Sequence, residues 1–125
     1  MKRTMLSIIV GGALIGALLF VRAQDPVTVD PKHYKVEWEN DQVRVLRINY
    51  GPGEKSVMHN HPETLAIFLT DQKATFTTPD GKTAEMDAKA GEVKNLPAGA
   101  HLPQNIGDKP MELILVEFKK KPGAK

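Results

Sequence analysis

The chain contains no cysteine. That excludes disulfides, thiolate nucleophiles, cysteine-held iron–sulfur clusters and cysteine-bound zinc, so any metal must sit on histidine, carboxylate or carbonyl groups. Aromatic residues are scarce, with one tryptophan, two tyrosines and four phenylalanines in 125 residues. No basic stripe with interleaved aromatics and no phosphate-cradling glycine loop is present, so nothing points to nucleic acid as a partner. From residue 34 onward no window carries a capped apolar stripe at i, i+3, i+4, i+7, which argues against a helical fold.

A long apolar run occurs once, at the start. Lys2 and Arg3 precede apolar sequence from Met5 to Val21, which closes in Val21-Arg22-Ala23. This layout predicts a signal peptide over residues 1–23, cut after Ala23, and hence an exported protein, periplasmic or extracellular, with no membrane attachment after cleavage. A membrane anchor through residues 5–21 is the alternative. Gly11, Gly12 and Gly16 within the run, and the Val-x-Ala ending, favour cleavage. The formal charge of +2 then loses Lys2, Arg3 and Arg22, so fourteen basic residues face fifteen acidic ones and the mature charge is −1. The basic character of the whole chain therefore carries no message about partners.

Cleavage leaves 102 residues, enough for one closed core. Residues 24–33, with Pro26 and Pro31 and no apolar period, read as a linker or ordered lead-in. Short strand signals follow over 34–120. Apolar alternation marks Tyr34 to Glu39 and Val43 to Tyr50, with Asn40-Asp41 as a turn between them. The segment 64–70 is apolar throughout, Asp71-Gln72 is placed to close a hairpin into 73–78, and Asp80-Gly81 suits a tight turn. The last strand, 111–118, sets Leu113, Leu115 and Glu117 on one face and Ile114, Val116 and Phe118 on the other, and residues 121–125 form a basic, solvated tail. Many short strands between turn signals predict an all-β sandwich or barrel.

The chemistry concentrates in "HNHPE" at 59–63. In a strand, residues i and i+2 share a face at about 6–7 Å, so His59 and His61 can converge on one cation. A third ligand must come from elsewhere, and His101 is the candidate if an antiparallel neighbour brings it alongside. A polar loop with solvated histidines is the plain alternative. His33 reads as a surface residue and Trp38 as core.

Two spacings carry a family resemblance. Gly53, five residues, then His59-x-His61 resembles the first motif of the cupin superfamily, and Gly91, five residues, Pro97-x-Gly99, with three residues between His101 and Asn105, resembles the second. The resemblance implies a small jelly-roll β-barrel. This sequence departs from the pattern in three places. The motif's glutamate falls at Leu65 or Ala66, its closing glycine at Gln72, and the step from Gly99 to His101 is one residue short. Because the His101-to-Asn105 spacing is kept, the shortening is assigned to the turn before the strand, leaving His101 aimed inward. The implied site is then one divalent metal ion on His59, His61 and His101, a set that some cupin dioxygenases use. Iron, manganese, zinc, nickel and copper all suit imidazole. Glu63 is a further candidate, although Pro62 places it toward a loop rim. Leu65, Ile67, Phe68 and Leu102 are the expected apolar pocket wall. The implied partner is a small-molecule ligand or substrate, with a homodimer also compatible. Two readings follow: a small-molecule dioxygenase-type enzyme, or a non-catalytic ligand-binding or sensing barrel with a degenerate metal site.

Overall fold

The computed structural model describes residues 24–120. The predicted signal peptide, the alternative anchor and the basic tail lie outside the described residues. Among the described residues no helix is long and apolar enough to cross a membrane.

A one-turn helix, α1 (Pro26–Val29), precedes nine strands. They are β1 (Tyr34–Glu39), β2 (Val43–Tyr50), β3 (His59–His61), β4 (Thr64–Phe68) and β5 (Gln72–Thr77), then β6 (Thr83–Ala88), β7 (Val93–Leu96), β8 (Gly99–Asn105) and β9 (Met111–Phe118). All pairings are antiparallel. One sheet runs β1-β2-β9-β4-β7 and the other β3-β8-β5-β6. The inner faces hold the core, in which Leu46, Ala66, Phe68 and Ala74 are fully enclosed. This is the all-β jelly-roll that the sequence predicts.

Local chemistry explains the joints. The Asn40 side chain accepts from the backbone N–H of Gln42 and Val43, which closes the β1–β2 turn. Gly81 sits at φ +86° in the β5–β6 hairpin, a conformation that only glycine adopts freely. The buried Asn105 amide donates to the Gly51 and Lys109 carbonyls and accepts from Gly107 N–H, so it ties the β2–β3 and β8–β9 loops together.

Four expectations require correction. Trp38 is 55% exposed. A bulge between Val36 and Trp38 shifts the register and pairs Trp38 with Val45, on the outer side of the sheet. Asp71-Gln72 does not close a hairpin, because β4 and β5 belong to different sheets and the chain crosses between them. His33 is buried, not superficial: its ring stacks on Tyr50 at 4.2 Å and its two nitrogens face Asp30 and Glu54. Leu65, Ile67 and Leu102 do not face the interior. In β4 the buried positions are Thr64, Ala66 and Phe68, because Pro62 and Glu63 break the strand after His61 and reset the alternation. Leu102 follows the inward-facing His101 and so points the other way.

Candidate metal centre

Strand β3 pairs with β8 so that His59 stands opposite His101 and His61 opposite Gly99. Opposite residues in an antiparallel pair share a face, and i, i+2 alternation adds His61 to it. The three ring centroids lie 4.8, 4.9 and 5.1 Å apart. One ligand nitrogen from each ring falls within 4.8 Å of the others, so the three histidines can hold a metal ion. His101 points inward despite the shortened motif, since β8 begins only at Gly99.

The hydrogen bonds set which nitrogens are free. His59 Nδ1 lies 2.8 Å from the Val57 carbonyl, which can only accept, so this nitrogen carries the proton. His61 Nδ1 lies 2.7 Å from Glu117 Oε2. Burial raises the Glu117 pKa, but bonds from His61 and Arg44 outweigh it and hold the group below the usual carboxylate range, so the carboxylate accepts. In neutral rings both Nε2 atoms are then bare, and they face each other at 3.1 Å. Two opposed lone pairs repel unless a cation, a proton on one ring or a metal ion, lies between them. A single proton there does not serve the third ring, that of His101, whose Nε2 is buried with no hydrogen-bond partner among the described residues. Burial first, then the neighbouring His61, lowers the pKa of His59 to about 4, and burial with both neighbours lowers His101 to about 3. Both rings are therefore neutral ligands at pH 7. The donor set fits a divalent metal ion.

Glu63 is exposed and, among the described residues, bonds only through its backbone, where its carbonyl accepts from Phe118 N–H at 3.0 Å. It stays at the rim. The inward place in β4 nearest the family's glutamate slot is Ala66, which is fully buried. The carboxylate beside the centre is instead Glu117, 2% exposed on β9. Sequence spacing had set it on the face of Leu113 and Leu115, but a charged residue gives no further sign of burial until its partners Arg44 and His61 are brought to it. Tyr34, whose hydroxyl bonds that of Tyr50 at 2.6 Å, packs edge-on against His59. Burial, with Tyr50 and Asp30 adding to it, raises its pKa well above the ordinary phenol value, so it stays neutral.

A cavity of about 270 Å³ opens beside His61 and His101. Its wall includes Thr64, Phe76, Met86, Leu96 and Leu115, and among the described residues no Asp, Glu, Lys or Arg lines it. Of the expected wall residues only Phe68 faces inward, deeper in the barrel.

No family model matches the chain, and no curated protein matches it. Solved structures do. A cupin domain from Bordetella pertussis superposes with a TM-score of 0.65 at 22% identity, over 70% of this chain and 92% of that one. A cupin superfamily protein from Desulfitobacterium hafniense gives 0.54 at 16% identity, over 70% and 76%. A Cupin 2 conserved barrel domain protein from Salinispora arenicola gives 0.51 at 23% identity, over 69% and 72%. Two antiparallel sheets closed around an inward-facing histidine cluster, and superposable on these barrels, place the chain in the cupin fold.

Proposed function

We propose that this protein is an exported cupin that holds one divalent metal ion on His59, His61 and His101 and acts on a small organic molecule in the adjoining cavity. The observation that carries the reading is the pair of bare Nε2 atoms at 3.1 Å beside a third, unpartnered one. The ion would supply Lewis acidity and open coordination positions for oxidation of the bound molecule. The chain's own part is to fix the imidazoles and to exclude water. Val57 and Glu117 hold the tautomers of His59 and His61, and Phe76, Met86, Leu96 and Leu115 offer an apolar wall. With no Asp, Glu, Lys or Arg of the described residues on that wall, a ligand with a charged group remote from the metal would lose its hydration uncompensated. The substrate is accordingly an apolar body with one polar head.

The second reading, a barrel that binds without catalysis, draws on the same wall: Glu117 is engaged by Arg44 and His61, and among the described residues the only titratable side chains on the cavity are His61 and His101, which the metal would occupy. Oxygen uptake separates the two. Metal-loaded protein should consume oxygen with some member of a panel of small apolar enols, phenols and thiols. Leu96→Trp, which fills the cavity, should raise KM at least tenfold at unchanged metal content. Ligand-induced spectral shifts without turnover would establish the second reading. Export is supported by the N-terminal pattern alone, and a purified protein beginning at Gln24 would verify it.

A further inference from the structure

Strand β3 has three residues and a single neighbour, β8, because it stands at the edge of its sheet. A three-residue edge strand is a weak support for two metal-binding side chains. What grips its other side is the segment 24–33, the stretch that reads as a linker.

The grip falls on three successive residues. The Gln24 carbonyl accepts from Asn60 N–H at 2.9 Å, between the two histidines. Asp25 forks onto Arg44, accepting from Nη1 at 2.9 Å and Nη2 at 3.1 Å. Arg44 Nε donates to Glu117 Oε1 at 2.7 Å, and Glu117 Oε2 accepts from His61 Nδ1 at 2.7 Å. At the other end of α1, Asp30 is 8% exposed and its Oδ2 accepts from Ser56 Oγ at 2.5 Å, as it does from His33 Nδ1 at 2.8 Å. Ser56 Oγ in turn lies 3.3 Å from His59 Nδ1, where it shares that proton with the Val57 carbonyl. Two chains of hydrogen bonds thus run from one short segment to the back of two rings whose Nε2 atoms face each other.

We infer that Asp25 and Asp30 are positioning residues of the metal centre, Asp25 acting on His61 through Arg44 and Glu117, and Asp30 acting on His59 through Ser56. The inference rests on the three-histidine reading above. Its plainer rival is that both aspartates only staple the lead-in to the barrel. Asp25 also caps α1, its Oδ1 accepting from Val27 N–H at 2.9 Å, but a cap uses one oxygen and asparagine caps as well as aspartate. The fork onto Arg44 needs the charge. A carboxylate behind a ligating imidazole fixes the ring and raises its basicity, and loss of such a partner costs about 10–100-fold in metal affinity. Here the inward position on β4 nearest the motif's glutamate slot is Ala66, so negative charge reaches the centre through Glu117 and, by way of Ser56, through Asp30.

Cobalt(II) binding to the purified chain tests this, read both as affinity and as the visible spectrum of the bound ion. Asp25→Asn and Asp30→Asn should each weaken cobalt binding about tenfold and shift the spectrum, and Glu117→Gln should weaken it up to about a hundredfold. Glu37→Gln, which removes an exposed ion pair with Arg47 remote from the histidines, should change neither. If Asp30→Asn does not fold, Ser56→Ala carries the same test for that arm. Lower thermal stability of the metal-free variants, with cobalt affinity and spectrum unchanged in the folded protein, would mean that the segment is only a staple; the metal reading would then stand while this inference falls. A parent chain that binds no cobalt would remove both.

Discussion

Metal-free protein should lose about 4 kcal/mol of stability between pH 7 and pH 5. In the folded chain burial holds His59 near pKa 4 and His101 near 3. Unfolded, both return to about 6.5. As the pH drops through 6.5 the unfolded state takes up protons that the native state refuses, so stability falls with pH. At pH 5 each ring contributes about 2 kcal/mol of that loss, and the loss continues until the native rings themselves titrate. Glu117 and Asp25 push the same way at lower pH. Burial opposes their ionisation, but bonds from His61 and Arg44 to Glu117, and from Arg44 and Val27 N–H to Asp25, keep both pKa values below the ordinary range. Their stabilisation is present above the unfolded carboxylate value near 4 and disappears as pH falls through the folded one. Urea midpoints recorded in chelator from pH 7 to 4 would check this. A flat midpoint down to pH 5 would mean that the two rings are not held neutral.

The second large effect concerns Glu117→Ala. The side chain of Glu117 is 3% exposed, His61 opposite it 5% and Arg44 18%. Truncation leaves a guanidinium and an imidazole without their shared acceptor in a place where water does not readily replace it. Breaking a buried pair in this way costs roughly 3–5 kcal/mol, toward the lower end here because Arg44 keeps Asp25 and some solvent. Guanidinium denaturation should therefore show a loss of about 3 kcal/mol, with Arg44→Met/Glu117→Leu recovering part of it, since the buried guanidinium is then gone, while Asp25 loses its fork and His61 Nδ1 stays without an acceptor. A loss below 1 kcal/mol for the single substitution would mean that solvent already serves these groups.

Much of the architecture is legible from local pattern. The alternation of β9, the extents of β1 and β2, the Asp80-Gly81 turn and the His59-x-His61 spacing each act within a few residues, and each survives in the fold. His101 is legible only because two spacings agree, Gly91 to Pro97 and His101 to Asn105, while the shortened turn between them is absorbed before β8 begins. Alternation misleads wherever it is interrupted. The bulge before Trp38 turns that ring outward, and the break at Pro62 moves the inward set from Leu65 and Ile67 to Thr64, Ala66 and Phe68. The rest is long-range. Nothing local indicates that His33 will lie between Asp30 and Glu54, or that Arg44 will join Asp25 to Glu117, 73 residues further along the chain. Those partners meet only after β2 and β9 have paired and the lead-in has folded back over β3.

The central claim is that three imidazoles share one metal ion. X-ray absorption on the stoichiometrically loaded protein, with metal analysis of the parent and of His59→Ala and His101→Ala, tests it most directly. The account predicts one ion per chain, three imidazole scatterers in its shell, and loss of stoichiometric binding in both variants. An ion retained in full by His101→Ala, or no binding by the parent after reconstitution with iron, manganese and zinc, would contradict it.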